Sequence, residues 1–269
     1  MDVLTDVLSA LELKGWLSSR RELLPPWRYD FAGVNDSTFH VISFGGAFLH
    51  VAGEDRPRRL EDGDVVLFPT GHAHALFDDP ASPLTRRVHL DYNPQRERHI
   101  VGCEGAGPKL LMLCGAFHFD YPNDLPLLHR LPNLIHIPGA QGRMDQGLAG
   151  IVQLIARESA SRQPGTDLML KRLTQLLFIQ VIRLWLEQQD ATADGWVDAL
   201  RDPPVSTALD LIHRTPERHW TVKELADAAA LSRSAFSARF TELVREPPMI
   251  YPPRWRMLRA TRLPKHEVR

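Results

Sequence analysis

Histidine and cysteine side chains in the first half of the chain are the residues best suited to bind a metal ion or a small ligand. His40, His74 and His89 fall among short alternating segments, and Cys103 and Cys114 are the two cysteines of the 269-residue sequence. Imidazole nitrogen and thiolate sulfur are ligands that zinc prefers, and three suffice when water fills the fourth position. Two interpretations stay open. We favour hydrogen-bonded histidines inside a barrel, and the alternative is a zinc site that uses His40 and His74.

A second group of residues, in Trp220–Val244, has the types and spacing of a unit that binds DNA. Thr221 and Glu224 form the capping-box pattern that starts one helix, and Ser232 can cap another. The sequence therefore predicts two short helices joined by a tight turn at Ala230-Leu231. Apolar residues lie on one face of the second helix: Phe236, Phe240 and Leu243. This pattern is typical of a helix-turn-helix, whose second helix enters the major groove of DNA, and it fits an ordinary helical hairpin of a core less well.

The sequence around this unit resembles the arabinose-regulator, or AraC-type, transcription factors. The resemblance covers about Val205 to Leu263, and it combines the motif with its spacing to the Trp-Arg-Met at Trp255–Met257. The family's base-facing positions match short side chains here, namely Ser234, Ser237 and Ala238. None of these side chains is long enough to make bidentate hydrogen bonds to a base. Three further residues are expected to contact phosphates, which position a protein without specifying sequence: Thr221, Arg233 and Arg239.

Members of this family usually carry two helix-turn-helix units joined by a long helix. Pro252-Pro253 stands where that helix is expected to begin, and a proline inside a helix costs ~3 kcal/mol or more. We expect the helix to restart at Arg254 and to end before Pro264, after which five residues remain in the sequence. The expectation is a DNA-binding domain that is shortened after its first unit and that binds DNA weakly and in a salt-sensitive way.

From Gly15 to about Phe119, apolar residues alternate in short runs broken by Gly, Pro, Asp and Asn, which predicts a β-sandwich or barrel. Within it, Gly63–His74 has the form G-x5-P-x-G-x2-H. Together with Pro126–Ile137, this region resembles the cupin sensor domain that precedes some AraC-type DNA-binding domains. The first cupin motif, with its two histidines and a glutamate, has no match near Gly33–Gly53.

Because that metal motif is missing, a metal-dependent cupin enzyme is disfavoured, and we expect no catalytic residue and no cofactor, with zinc as the open alternative. An enclosed barrel suits a small ligand instead. The histidines expected to line this pocket are His40, His74 and His89, with His74 at the barrel mouth. Cys114 lies in an apolar run, so burial is the default expectation, with redox sensing or metal binding as the alternative.

Helical periodicity returns after Met144. One helix is predicted around Leu148–Ile155, and Pro164-Gly165 separates it from a second over Leu168–Leu186. The second helix is apolar nearly all round, which favours either a partner subunit or packing on the neighbouring domains. The polar and proline-rich stretch from Gln188 to Pro204 predicts a linker.

The composition is that of an ordinary globular protein, with 43% hydrophobic and 24% charged residues. No run approaches the ~18 apolar residues of a membrane span, the N-terminus does not have the pattern of a secretory signal, and two cysteines fit a reducing compartment. We therefore expect a cytoplasmic protein without a membrane partner.

Charge is distributed unevenly along the chain. Residues 205–269 carry 12 Lys/Arg against 7 Asp/Glu, a net charge of +5, whereas the preceding residues carry 20 against 26, a net charge of −6. A basic segment behind an acidic one is expected of a DNA-binding module that follows a separate sensor.

These observations predict an α+β protein in four parts: a cupin-like ligand-sensing barrel at residues 1–140, a helical dimerisation segment at 141–190, a linker at 191–204, and a partial helix-turn-helix domain at 205–269. The predicted function is a ligand-responsive transcriptional regulator that binds double-stranded DNA and an unknown small effector as a homodimer. The alternatives are a regulator remnant that binds ligand or dimerises but binds DNA poorly, and a metal-dependent cupin enzyme.

Overall fold

The computed structural model of the protein describes residues 3–10, 13–82, 86–88, 99–102, 105–119, 131–139, 145–188 and 196–260. The chain forms two compact units. The barrel unit comprises residues 13–119 and 131–187, and the helical unit comprises residues 1–12, 120–130 and 188–269. Within the described ranges, no helix is long and apolar enough to cross a membrane.

The barrel unit is built on strands that pair in two sheets. The strands are β1 (Lys14–Leu23), β2 (Arg28–Phe31), β3 (Ser37–Phe44), β4 (Ala47–Val51), β5 (Arg58–Leu60), β6 (Val65–Phe68), β7 (His74–Phe77), β8 (Arg86–Val88), β9 (His99–Gly102), β10 (Leu110–His118) and β11 (Ile135–Ile137). One sheet has the order β11-β6-β3-β10-β1-β9 and the other β5-β4-β7-β2-β8. The β1–β9 and β2–β8 pairs are parallel and the remaining pairs are antiparallel. We refer to the two sheets together as the barrel.

The barrel core lies between the two sheets and takes residues from strands of both. Its large apolar members come from both sheets: Leu23, Phe31, Ile42, Leu49, Phe68, Leu76 and Met112. A β-bulge in β1 shifts the pairing between Leu17 and Ser19. Because a bulge adds one residue to one strand, the face on which alternate side chains lie changes at that point. Ser19, Arg21 and Leu23 are therefore directed into the core.

The Gly63–His74 motif forms the turns that flank β6. Gly71 has φ +62°, and a Cβ on it would lie 2.3 Å from the Val34 carbonyl oxygen, so no other residue fits there without strain. Asp64 is buried and ties the turn to the chain around β11, accepting hydrogen bonds from His136 Nε2 at 2.9 Å and from the Gly139 N–H at 2.7 Å. The motif thus places His74 at the start of β7.

Two helices cover the outer face of the larger sheet, α2 (Gln146–Ser159) and α3 (Thr166–Gln188). The predicted helical hairpin is confirmed, with Asp145 as the N-cap of α2. Phe178 on α3 lies 5.1 Å, ring to ring, from Phe117 on β10, and both Phe178 and Ile182 are buried. The apolar face that contains these two residues therefore packs inside the unit and is not free for a partner subunit.

The helical unit contains α1 (Val3–Ala10), α4 (Trp196–Arg201), α5 (Pro203–Arg214), α6 (Val222–Ala228), α7 (Arg233–Val244) and α8 (Tyr251–Ala260). Helix α1 packs on α5, where His213 Nδ1 lies 3.6 Å from Asp6 Oδ2. His213 also stacks on Trp255 and bonds to the Tyr251 hydroxyl at 2.7 Å. This group of contacts joins α1, α5 and α8.

Two local predictions for this unit are wrong. Residues 196–201 and 203–204 of the expected linker are helical. Residues 203–204 begin α5 because Asp202 caps that helix and prolines are accepted in a first helical turn. For the same reason α8 begins at Tyr251 and contains Pro252-Pro253 in its first turn, whereas the sequence predicted a restart at Arg254. The first N–H groups of a helix have no intrahelical acceptor, so proline loses nothing there.

Candidate DNA-binding helix and barrel interior

The start of α6 carries the capping box that its sequence predicted. The Glu224 N–H donates to Thr221 Oγ1 at 3.2 Å, and the Thr221 N–H donates back to Glu224 Oε2 at 2.9 Å. A hydrogen bond from Arg218, followed by those from Thr221, lowers the pKa of the Glu224 carboxyl to about 2. These bonds satisfy N–H groups that would otherwise lack acceptors and fix where α6 begins.

The turn between α6 and α7 is short and tightly bonded. Ala230 takes φ +54°, and the Leu231 N–H donates to the Ala226 carbonyl at 3.0 Å. Ser232 then caps α7 by accepting from the Ala235 N–H at 3.2 Å. A left-handed residue between two capped helices is what lets the chain reverse direction within so few residues.

The packing of α7 leaves its polar face to solvent. Phe236 and Phe240 are fully buried, and their rings lie 5.5 Å apart. Four of the predicted contact residues are exposed, namely Arg233, Ser234, Ala238 and Arg239, and Ser237 is half-buried. The helix-turn-helix geometry is thus formed, with a short-chained polar surface on its second helix.

Arg239 has an intramolecular partner that the sequence did not indicate. Its Nε donates to Asp202 Oδ2 at 2.7 Å, its Nη2 bonds to the same oxygen, and Asp202 is the buried N-cap of α5. The guanidinium is therefore neutralised within the helical unit and helps to hold α7 against the start of α5. A phosphate contact from Arg239 would have to compete with this carboxylate.

His40 and His74 form a hydrogen-bonded pair inside the barrel. Their Nε2 atoms are 2.7 Å apart, and the side chains are 0% and 5% exposed, so His74 belongs to the buried interior and not to an open mouth. The His74 ring stacks on Phe68 with ring centres 3.8 Å apart, and Phe31 contacts both histidines. Burial lowers the pKa of His74 to about 4 and lowers that of His40 well below its usual value.

Both rings are therefore neutral near pH 7, and their hydrogen bonds determine which nitrogen carries the proton. His74 Nδ1 must donate to the His72 carbonyl, 2.8 Å away, because a carbonyl only accepts. His74 Nε2 is then an acceptor, and His40 Nε2 donates to it. This leaves His40 Nδ1 as a buried acceptor with no partner in the described residues.

A zinc site at His40 and His74 would need a third protein ligand, and the described residues do not supply one. In the ranges that the structure describes, no group of three His, Cys, Asp or Glu side chains could hold a metal ion. His89 and Cys103 lie outside the described residues. Cys114 is buried on β10 opposite His40, and burial raises the pKa of its thiol.

Two interior polar residues were missed by the sequence analysis. Ser19 and Arg21 on β1 are 2% and 6% exposed, and the Arg21 Nε–H donates to Ser19 Oγ at 3.2 Å. The available signal was the spacing of two between Ser19, Arg21 and Leu23, which places them on the face of an apolar residue. The barrel interior therefore contains a cation as well as two neutral histidines.

Known proteins are similar to this chain over both the barrel unit and the helical unit. The cupin family profile matches residues 2–187. An AraC-like transcription regulator of Streptomyces lividans is 33% identical over 263 residues, which cover 97% of this chain and 85% of that protein. A second, from Streptomyces antibioticus, is 31% identical over 258 residues, which cover 96% and 84%. The regulator AlkR of Acinetobacter baylyi is 31% identical over 242 residues, which cover 89% and 78%. The chain therefore belongs to the AraC-like transcription regulators, and its cupin domain precedes its helix-turn-helix.

Proposed function

We propose that the chain is a ligand-responsive regulator that binds double-stranded DNA through α7 and a small effector through the barrel interior. The observation that carries the proposal is the capped helix-turn-helix, with α7 buried through Phe236 and Phe240 and exposed along its polar face. A regulator of transcription acts where the DNA is, which supports a cytoplasmic location, and the relatives' names, which describe transcription regulators, support a function other than catalysis.

Within α7 we assign Ser234, Ser237 and Ala238 to the base edges and Arg233 to a phosphate. Arg233 stands at the start of the helix, is exposed, and has no ion-pair partner among the described residues. Short hydroxyl and methyl side chains make few base contacts, so phosphate contacts should supply most of the affinity. A homodimer would bring two such helices to one DNA molecule and recover part of the affinity.

The test is a fluorescence-anisotropy titration of labelled duplexes of several sequences over a salt series. Arg233→Ala should weaken binding to all sequences about equally and lower the salt slope by roughly one. Arg162→Ala, an exposed arginine of the barrel unit, is the matched control and should bind like the wild type. Nanomolar binding to a single operator, lost when Ser234 or Ser237 alone is changed, would overturn the assignment of roles along α7.

A second candidate, a remnant that senses a ligand but binds DNA poorly, is favoured by the short base-facing side chains. The same titration separates the two functions. A salt-dependent affinity that the effector changes supports the regulator, and an affinity that is undetectable at low salt supports the remnant.

A further inference from the structure

Within the described part of the chain, Arg21 is a buried cation without a carboxylate partner. Its side chain is 6% exposed on the inner face of β1, where it pairs across the sheet with the core residue Met112. Among the described residues its side chain bonds from Nε to Ser19 Oγ and also bonds to the Cys114 thiol, and its guanidinium carbon lies 4.4 Å from the centre of the Tyr29 ring. No aspartate or glutamate of the described chain forms an ion pair with it.

The neighbouring groups do not supply the missing negative charge. The Cys114 thiol lies close to Ser19 and Arg21, but burial raises its pKa, so it stays neutral. His40 and His74 are neutral as well, and neutral imidazole carries no charge to offset a guanidinium. Asp64 is the one buried carboxylate in the described part of the barrel unit, and its oxygens are already bonded to His136, Gly139 and Glu61.

A buried arginine is ordinarily paired, because removing an ion from water is unfavourable unless a counter-charge replaces the lost hydration. The hydrogen bonds of Arg21 go to a neutral hydroxyl and a neutral thiol, and the Tyr29 ring offers attraction but no formal charge. The donors on Nη1 and Nη2 form the fork that matches the two oxygens of a carboxylate. Two interior polar atoms of the described residues, Thr38 Oγ1 and His40 Nδ1, lack a hydrogen-bond partner.

The remaining neighbours of this site are apolar. Tyr29 is tilted against Trp27, with ring centres 6.1 Å apart, and both belong to the same core as Phe31 and Leu76. A single cation in apolar surroundings favours a singly charged anion, because a doubly charged phosphate would bring one uncompensated charge into the interior.

We propose that Arg21 binds the carboxylate of the effector, and that the effector is a small monocarboxylic acid with an apolar body. The inference rests on the proposed sensor function and adds the chemical class of the ligand. The carboxylate pairs with the Arg21 guanidinium, and the body lies among the aromatic and aliphatic side chains of the barrel core.

The experiment measures binding of defined probes to the full 269-residue chain by calorimetry and by thermal shift. The acids are benzoate, phenylacetate and hexanoate, and their uncharged controls are benzyl alcohol, 2-phenylethanol and hexan-1-ol. Inorganic phosphate serves as an anion that has no apolar body. At least one acid should raise the melting temperature by mass action. Its matched alcohol should bind roughly tenfold more weakly or worse, and phosphate should not bind.

Arg21→Met tests the residue directly. The ligand-free variant should melt at or above the wild-type temperature, because it removes an unpaired buried charge. Its Kd for the acid should rise roughly tenfold or more, and binding of the alcohol should not change. Arg28→Met is the matched control, since Arg28 lies on β2, half-buried, and pairs with Asp30. It should bind the acid like the wild type.

Arg21→Lys keeps the charge and loses the fork, so its affinity for the acid should be intermediate, which tests the proposal even if the methionine variant does not fold. A methionine variant that melts lower and binds the acid with wild-type affinity would make Arg21 a structural residue and overturn the inference. Equal binding of acid and alcohol, or binding of no acid, would also overturn it. DNA binding by the same preparation is measured separately, so a failed ligand class leaves the regulator function standing.

Discussion

At the residue scale, the barrel interior depends on histidines that stay neutral. His40 and His74 share one short hydrogen bond and are enclosed by Phe31 and Phe68, so a proton on either ring would be unfavourable in the folded state. His213 in the helical unit is also buried, with its pKa lowered to about 3 by desolvation and then by Arg259. All three groups should make the folded protein sensitive to acid.

The first prediction is that the free energy of unfolding falls as the pH drops below about 6.5, the value for an unperturbed histidine. The pKa of His74 is about 4 in the folded state, so between these two values the unfolded chain binds a proton that the folded chain does not. The loss should be about 1.4 kcal/mol per pH unit for each such histidine. Urea unfolding followed by tryptophan fluorescence at pH 7.5 and pH 5.0 measures it.

The His40→Leu/His74→Leu double variant should show a smaller difference between the two pH values, because it has two fewer groups to protonate on unfolding. His219→Gln, which changes an exposed histidine, should leave the difference unchanged. A double variant with the full wild-type pH dependence would show that other groups cause the acid sensitivity.

At the element scale, α7 is held by its buried face and by its cap. Phe240 is fully buried between Phe236 and Tyr251, with ring distances of 5.5 and 6.1 Å. We predict that Phe240→Ala lowers the free energy of unfolding of the helical unit by ~3–5 kcal/mol, through lost burial and the cavity it leaves. Thermal unfolding followed by circular dichroism measures the effect.

Leu243→Ala is the control for that substitution, since Leu243 is on the same helix but only half-buried, and it should cost clearly less. Equal effects of the two variants would mean that the observed packing of α7 is not the packing in solution.

The Arg239–Asp202 pair changes how DNA-binding variants on α7 should be interpreted. Because Arg239 holds the N-cap of α5, its alanine variant removes a partner from a buried carboxylate and lowers stability as well as charge. A loss of DNA binding in Arg239→Ala therefore has two causes. Arg233 offers the cleaner measurement of a phosphate contact.

At the scale of the whole molecule, the exposed apolar side chains of the helical hairpin favour a homodimer. The hairpin exposes large apolar side chains even after packing on the barrel: Leu154, Leu168, Met169 and Leu176. Met169 and Leu176 are seven residues apart on α3, so they lie on one stripe of the helix. We expect this stripe to lie across a two-fold axis in a homodimer.

Leu176→Glu should convert the dimer to a monomer in light scattering at micromolar concentration, without changing the melting temperature of the isolated protomer. Leu176 is 50% exposed, so the charge stays in water when the partner is absent. The adjacent Leu177 is 1% exposed, and Leu177→Glu should unfold the barrel unit. A wild-type chain that is monomeric at the same concentration would exclude this interface.

Local signals in the sequence were sufficient to predict the helix-turn-helix. A capping box and a serine N-cap act within three or four residues, so the sequence pattern alone indicates where each helix begins. The two sheets and the helical hairpin also followed from periodicity, because burial on one face leaves a regular pattern of apolar residues. The motif predicted only that His74 points into the barrel, and the hydrogen bond between His74 and His40 is seen in the folded chain.

Only the tertiary structure decided which side of each element faces which neighbour. The bulge in β1 directs Arg21 inward, Asp202 is brought to Arg239 across 37 positions, and the Phe178 face of α3 packs on β10. The Arg239–Asp202 and Phe178–Phe117 contacts have no signature in nearby residues, because the partner lies far away in the sequence. The spacing of two places Arg21 on the same face as Leu23, but the bulge decides which face of β1 that is. The charge in the barrel interior is thus a property of the folded chain, invisible in the spacing of its histidines.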